Sequence, residues 1–376
     1  MSMELRLPSR FVFQLANIFL MGFQSFVIPL LVGFSEYGKA MLYLAPIYLY
    51  QSMFEPVFQG VYGKRLSVID QSGARIDLDI KVLLLSFIGL MLLAFSLFLF
   101  FESAYFVALI LCVGFLYLYS TNLQAVLLFG DQYLFVGLSI LISVLFYFLP
   151  YFYSGLSFEF LIWGNIFYFG MLSVLLTCRL VWLKGGMSFS GRFGLRDFFS
   201  HATTRAAYIF SGNGLLIVFG GVGYSAEQIG NFRFSLSLMN AGRYFNPVPL
   251  VSLQKSISDL VSGAESVAFL KTLRRFLFFA IFYGVSLFVG WWLYSFIFSN
   301  AVSVSYILIL TPVYLLIQPA SYYLALKGFA MQLFLISVVA SLAACAISFY
   351  DMWLAFSFML VSVLFMMVML VLKIKD

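Results

Sequence analysis

The sequence predicts an all-α membrane protein: twelve transmembrane helices in two six-helix lobes related by a parallel repeat. Three observations carry the prediction. Twelve apolar stretches have membrane-crossing length, cations gather at alternate junctions between them, and one segment recurs about half a chain later. Hydrophobic residues make up 63% of the 376, with 47 Phe, and only 10% are charged, against roughly a quarter in soluble domains. A soluble fold cannot hide that much apolar surface, so lipid is the expected solvent.

The stretches run 11–33, 40–63, 82–101, 105–128, 133–153 and 160–182 in the first half. In the second they run 203–222, 229–250, 276–298, 304–325, 329–349 and 353–372. Each holds about twenty residues, enough for a helix to cross a hydrocarbon core of roughly 30 Å. Of the 21 Lys and Arg residues, 18 lie on one side of this scheme. Arg6 and Arg10 precede the first stretch, and Lys64, Arg65, Arg75 and Lys81 follow the second. Arg179, Lys184, Arg192, Arg196 and Arg205 surround the sixth junction, and Lys255, Lys271, Arg274 and Arg275 fill the eighth. Lys327 and the terminal Lys373 and Lys375 complete the set, leaving only Lys39, Arg233 and Arg243 elsewhere. Cations near span ends stay cytoplasmic, so both termini are expected inside and the number of spans is even.

The odd-numbered junctions are short and nearly free of cations. The longest connections, 64–81, 184–202 and 254–275, are cytoplasmic in this scheme; the last has apolar residues at helical spacing and reads equally as an interfacial amphipathic helix or a solvated loop. Cys112, Cys178 and Cys345 lie far apart in apolar surroundings and are expected as buried apolar residues, with no disulfide or metal set. No metal or cofactor is expected. The net charge of +6 follows from the inside bias, and no basic face with interleaved aromatics points to nucleic acid.

The repeat sets GFSEYGKAMLYLAPIYLYQSMFEPV at 33–57 against GYSAEQIGNFRFSLSLMNAGRYFNPV at 223–248. Gly-aromatic-Ser opens both, an acid and then a Gly follow, and Phe-Glu/Asn-Pro-Val closes both. Each copy runs from an outer junction into an even-numbered stretch, so the two share one orientation. That predicts lobes at 1–190 and 191–376 about an axis along the membrane normal, as in some secondary transporters.

With the SEYGK junction, its EQIGNF counterpart and the Arg-rich junctions after stretches two, six and eight, the chain resembles polysaccharide exporters of the multidrug/oligosaccharidyl-lipid/polysaccharide exporter superfamily, O-antigen flippases in particular. The resemblance covers the whole chain in architecture, but its motifs are thin. The chain is shorter than most such flippases, and it departs from lipid II flippases, which crowd arginines into the first lobe, in having none within its first two stretches. The resemblance implies a bacterial inner-membrane carrier that is not an enzyme. Its cargo would be an oligosaccharide on undecaprenyl diphosphate, with membrane lipids and polymerase or chain-length proteins of the same pathway as neighbours.

Charges and amides within the spans are the candidate site, because each is costly in hydrocarbon and must face protein or water. Tyr48, Gln51, Glu55, Gln59 and Tyr62 form one face of the second stretch at spacings of three and four. Arg233, Ser237, Asn240 and Tyr244 form a stripe on the eighth, with Arg243 beside it. Gln14, Asn17, Gln24 and Ser25 share a side of the first. A diphosphate wants planar, permanently charged donors, which Arg243 and Arg233 supply. Sugars want the amides and aromatic faces of Asn240, Gln14, Asn17, Gln24, Gln51 and Tyr48. Glu55, its carboxyl pKa raised by burial, is the candidate for ion coupling. Pairing of Glu55 with Arg243 as an inert lock is the competing reading. Within transport, a multidrug antiporter would want acids rather than two membrane arginines. A membrane polymerase would want a sizeable outer loop, and no outer junction exceeds about ten residues. No GxxxxGK[ST] sequence is present, so no ATP hydrolysis by this chain is expected.

Overall fold

The computed structural model describes residues 3–48, 77–79, 88–89, 104–129, 132–182, 188–190, 213–246, 266–298 and 306–375, with isolated positions between 248 and 260. Helix α1 (Met3–Gly22) passes through a π-turn (Phe23–Val27) into α2 (Ile28–Val32), and α3 covers 34–48. After strand β1 (Asp77–Asp79) come α4 (Ala104–Phe129), α5 (Tyr133–Phe146), a single turn at Tyr151–Ser154, and α6 (Phe158–Trp182). Strand β2 (Ser188–Ser190) precedes α7 (Asn213–Val222), α8 (Ala226–Phe245) and α9 (Ser266–Phe298). A 3₁₀ turn (Tyr306–Leu310) leads into α10 (Thr311–Leu326), followed by α11 (Ala330–Ile347) and α12 (Met352–Lys375).

Among the described residues, five segments are long and apolar enough to cross a membrane: Ala104–Leu128, Tyr133–Ser154, Phe158–Trp182, Phe269–Leu293 and Met352–Leu370. Shorter apolar helices cover Phe11–Leu20, Leu308–Leu324 and Met331–Ile347. Their outward faces are apolar too, with Leu145 70%, Phe282 63% and Phe365 63% exposed. A helix apolar all round belongs in a core or in lipid, and these faces have no core to enter. The molecule is therefore a helical, membrane-embedded protein.

The chain divides into two compact units, Met1–Gln24 with Pro46–Ala202, and Ser25–Ala45 with Thr203–Asp376. In the first, α1 lies against α5 and α5 against α6. Close approach of α1 and α5 needs Gly137, where a Cβ would come 3.0 Å from the Phe13 Cα. Helix α4 packs along α6: Tyr119 Oη and Thr177 Oγ1 are 3.2 Å apart, and Ser173 Oγ donates to the Leu116 carbonyl at 3.5 Å. Partner numbers rise together along both helices, so α4 and α6 run in the same direction, as alternate spans must. Arg179, at the end of α6, donates from Nε (3.2 Å) and Nη2 (2.8 Å) to Gln132 Oε1, just before α5. Its guanidinium also lies over Phe135 and Trp182, at 5.2 and 4.7 Å.

In the second unit, the aromatic centre joins Phe219, Phe232 and Phe356, with ring centroids 5.0 and 5.1 Å apart. The Tyr224 hydroxyl, in the turn before α8, donates to the Ser348 carbonyl after α11 at 2.6 Å. Burial pushes that phenol's pKa up, and Asp351 pushes the same way; a backbone hydrogen bond from Met352 opposes them.

Several expectations change. The all-α class holds, with one addition: the three-residue strands β1 and β2 pair in parallel with Asp77 opposite Ser188, Leu78 opposite Phe189 and Asp79 opposite Ser190. The signal stands in the sequence: Arg75 to Val82 alternates polar and apolar with the period of a strand. Helix α9 begins at Ser266, ten residues before the ninth apolar stretch, so the cations of 271–275 lie on its first turns rather than in a loop. Helix α8 stops at Phe245 because the residue before Pro247 is pushed out of the α region, and Asn246 is extended (φ −70°, ψ 122°). Cys112 and Cys178 are exposed, and Cys345 is half-buried, all with free thiols; the expected burial fails at the first two because their helix faces look outward.

Candidate functional site

Within the second unit, residues 33–45 of the first copy of the repeated segment meet the second copy. Both copies open on a glycine in the left-handed half of backbone space, Gly33 (φ 87°) and Gly223 (φ 96°). Such a φ suits glycine because it has no Cβ to clash. The start of α8 is then capped: Gln228 N–H donates to Ser225 Oγ at 3.3 Å, and Gln228 Oε1 accepts from Ser225 N–H at 2.9 Å. Glu227 sits in the first turn, favourable beside the helix's positive end. The equivalent acid on α3, Glu36, pairs instead with Lys39 at 2.5 Å.

Helices α3 and α8 cross at their own fifth residues, Gly38 and Gly230. A Cβ at Gly38 would fall on the Ala226 carbonyl oxygen and lie 2.8 Å from the Gly230 nitrogen. A Cβ at Gly230 would fall on the Phe34 carbonyl oxygen and lie 3.2 Å from the Gly38 nitrogen. The contact is reciprocal: fifth residue to fifth residue, and each to the first residue of the other helix. Beside it, Phe34 meets Phe234 edge to face at 5.3 Å, and the Leu42 side chain fills the space over Gly220 of α7.

One turn along α8, Arg233 enters the same contact. Its guanidinium donates to the Tyr37 hydroxyl, which also hydrogen-bonds Ser237. Tyr37 is 3% exposed. Burial raises its pKa, while the Arg233 charge and the hydrogen bonds to Ser237 and Arg233 pull the other way. Arg233 therefore stands near the N-terminal ends of α3 and α8, tied to a phenol that the sequence reading did not single out. The signal that could have found Tyr37 is its place between the repeated acid and the repeated Gly.

Gln14 is exposed, and Asn17 is half-buried with its Nδ2 donating to its own helix at the Phe13 carbonyl, 2.9 Å away. Gln24, Tyr48 and Asn240 are half-buried. Arg243 lies on α8 in the turn after Asn240, with its side chain outside the described residues; Gln51 and Glu55 lie outside them altogether. Against α8, the Tyr283 hydroxyl of α9 donates to the Leu238 carbonyl at 2.8 Å, its ring lying over Gly242. Asn246, beyond the end of α8, donates from Nδ2 to the Phe276 carbonyl at 3.1 Å and accepts from Val248 N–H at 3.0 Å. The second half's copy of the Pro-Val ending is thus held by an amide to α9. Among the described residues, no group of His, Cys, Asp and Glu is arranged to hold a metal ion.

Comparison with protein-family models, with curated proteins and with solved structures finds no match to this chain.

Proposed function

We propose that this chain is a twelve-span secondary transporter with two lobes at about 1–190 and 191–376. It would move an anionic lipid-linked oligosaccharide, on undecaprenyl diphosphate, across a bacterial inner membrane by alternating access. Both termini are cytoplasmic in this reading. The observation that carries it is the reciprocal crossing of α3 and α8. Two segments of like sequence meet at the same helical position, each glycine against the first residue of the other helix, which is the local two-fold relation a parallel duplication generates. In this reading Ser25–Ala45 is the part of the first lobe that reaches into the second. In the same reading Arg243 on α8 supplies diphosphate binding and Glu55, in the second apolar stretch, ion coupling. Arg233, held by Tyr37, marks the outer end of the same stripe.

The test is complementation of a flippase-deletion strain carrying a defined oligosaccharide unit. Wild type restores surface polysaccharide, while Arg243→Ala and Glu55→Gln, inserted at equal level, do not. Full activity of both variants removes the proposed site. Drug resistance conferred without polysaccharide rescue replaces the cargo with an amphipathic cation.

A further inference from the structure

Helix α9 carries a groove of 540 Å³ lined by Leu270, Lys271, Arg274, Arg275, Phe278 and Phe279. These six residues occupy one half of a single helix surface, since steps of one, three and four residues keep to neighbouring rows. The opposite half, with Phe276 and Ala280, is buried in the unit's core. All three cations are exposed. Directly along the same outward face, the groove continues into Phe278 (64% exposed), Phe282 (63%) and Val285 (50%). From Arg275 to Leu293 is roughly 27 Å of helix at 1.5 Å per residue, close to the thickness of a hydrocarbon core. The cations therefore stand at the level of lipid headgroups and the aromatic stripe at the level of acyl chains.

We propose that this face of α9 binds an anionic phospholipid of the cytoplasmic leaflet. Its phosphate would sit among Lys271, Arg274 and Arg275, with one acyl chain lying along Phe278 and Phe282. Cations that merely set orientation need no particular arrangement on the helix. Here three fall within five residues on the lipid-facing half, and two are arginines whose planar forks match phosphate oxygens. Basic clusters at this level draw anionic lipid from the cytoplasmic leaflet, and the apolar stripe beneath supplies the second half of the ligand's chemistry. The proposal uses only the membrane embedding and the inside placement of this junction, so it stands or falls separately from the transport reading.

Native mass spectrometry of the full chain in detergent tests it, with phosphatidylglycerol and phosphatidylcholine of the same acyl chains as probes. Phosphatidylglycerol adducts are expected to persist at activation energies that strip phosphatidylcholine. Each of Lys271→Gln, Arg274→Gln and Arg275→Gln is expected to weaken phosphatidylglycerol binding about fivefold, and Phe278→Ala with Phe282→Ala to weaken it further. Should a glutamine variant fail to insert, Arg274→Lys with Arg275→Lys, which keeps positive charge at the junction but removes both planar forks, is expected to weaken phosphatidylglycerol binding in its place. Equal retention of the two lipids overturns the proposal. So does wild-type phosphatidylglycerol binding by the three single variants, or adducts that form with undecaprenyl diphosphate and not with phosphatidylglycerol.

Discussion

Tyr37 shows how a residue in a six-residue outer junction becomes a structural centre: its hydroxyl hydrogen-bonds both Arg233 and Ser237 of α8. Tyr37→Phe deletes that hydroxyl and leaves a guanidinium and an alcohol one partner short, a loss of about 1–3 kcal/mol. The expected readout is a lower melting midpoint in detergent without loss of insertion. The same phenol predicts a pH dependence. Its folded pKa is raised above its unfolded value by burial, so the protonated form is favoured in the folded state. That stability is complete below about pH 10 and lost as pH rises through the folded pKa. The melting midpoint should hold from pH 7 to 9.5 and fall beyond 10, and the fall should be shallower in Tyr37→Phe. Asn122 on α4 is the opposite case. It is 1% exposed, and neither Nδ2 nor Oδ1 has a hydrogen-bond partner among the described residues. A buried amide without partners costs about 1–3 kcal/mol, so Asn122→Leu is expected to raise the melting midpoint, and an unchanged or lower one would show that the amide is satisfied.

At the scale of elements, the α3–α8 crossing rests on two missing side chains. Gly38→Ala and Gly230→Ala each drive a methyl onto a backbone carbonyl of the other helix, and backbone yields less than a flexible side chain. Overpacking costs about 1–3 kcal/mol where neighbours can shift, and here the cost should reach or exceed the upper end. Gly221→Ala, in α7 with nothing within 4 Å of its Cβ, is the control. It should be tolerated or mildly stabilising, since Ala is about 1 kcal/mol better than Gly inside a helix. Yields of monodisperse protein from the three variants check the contrast. The two glycines were visible in the sequence as the Gly that follows each repeated acid within two or three residues, but their role was not, because a repeat shows likeness and not contact. The ends of α8 and α9 were misplaced for a different reason. Apolar runs mark where lipid is, whereas α9 continues into its charged turns because Lys and Arg are good helix formers. The first unit likewise contains a parallel strand pair at Asp77–Asp79 and Ser188–Ser190, from a period-two pattern that the search for long apolar runs passes over.

For the whole molecule, sidedness is the property to measure. With Cys112, Cys178 and Cys345 replaced by Ser, a membrane-impermeant thiol reagent applied outside intact cells should label Lys39→Cys and Glu227→Cys. It should not reach Lys271→Cys or Lys375→Cys until the cells are opened; the reverse pattern would invert the topology. The apolar stretches and the asymmetry of the cations were legible because the bilayer acts on every residue by its own transfer free energy, which composition alone reports. Membrane embedding and helicity needed nothing more. What tertiary structure decided is which of the polar residues meet. Arg233 was legible as a costly charge but not as the partner of Tyr37. It also decided that Ser25–Ala45 packs with Thr203–Asp376, through glycines nearly two hundred positions apart. Such contacts depend on the distance between two backbones, and no local pattern in a chain carries that distance.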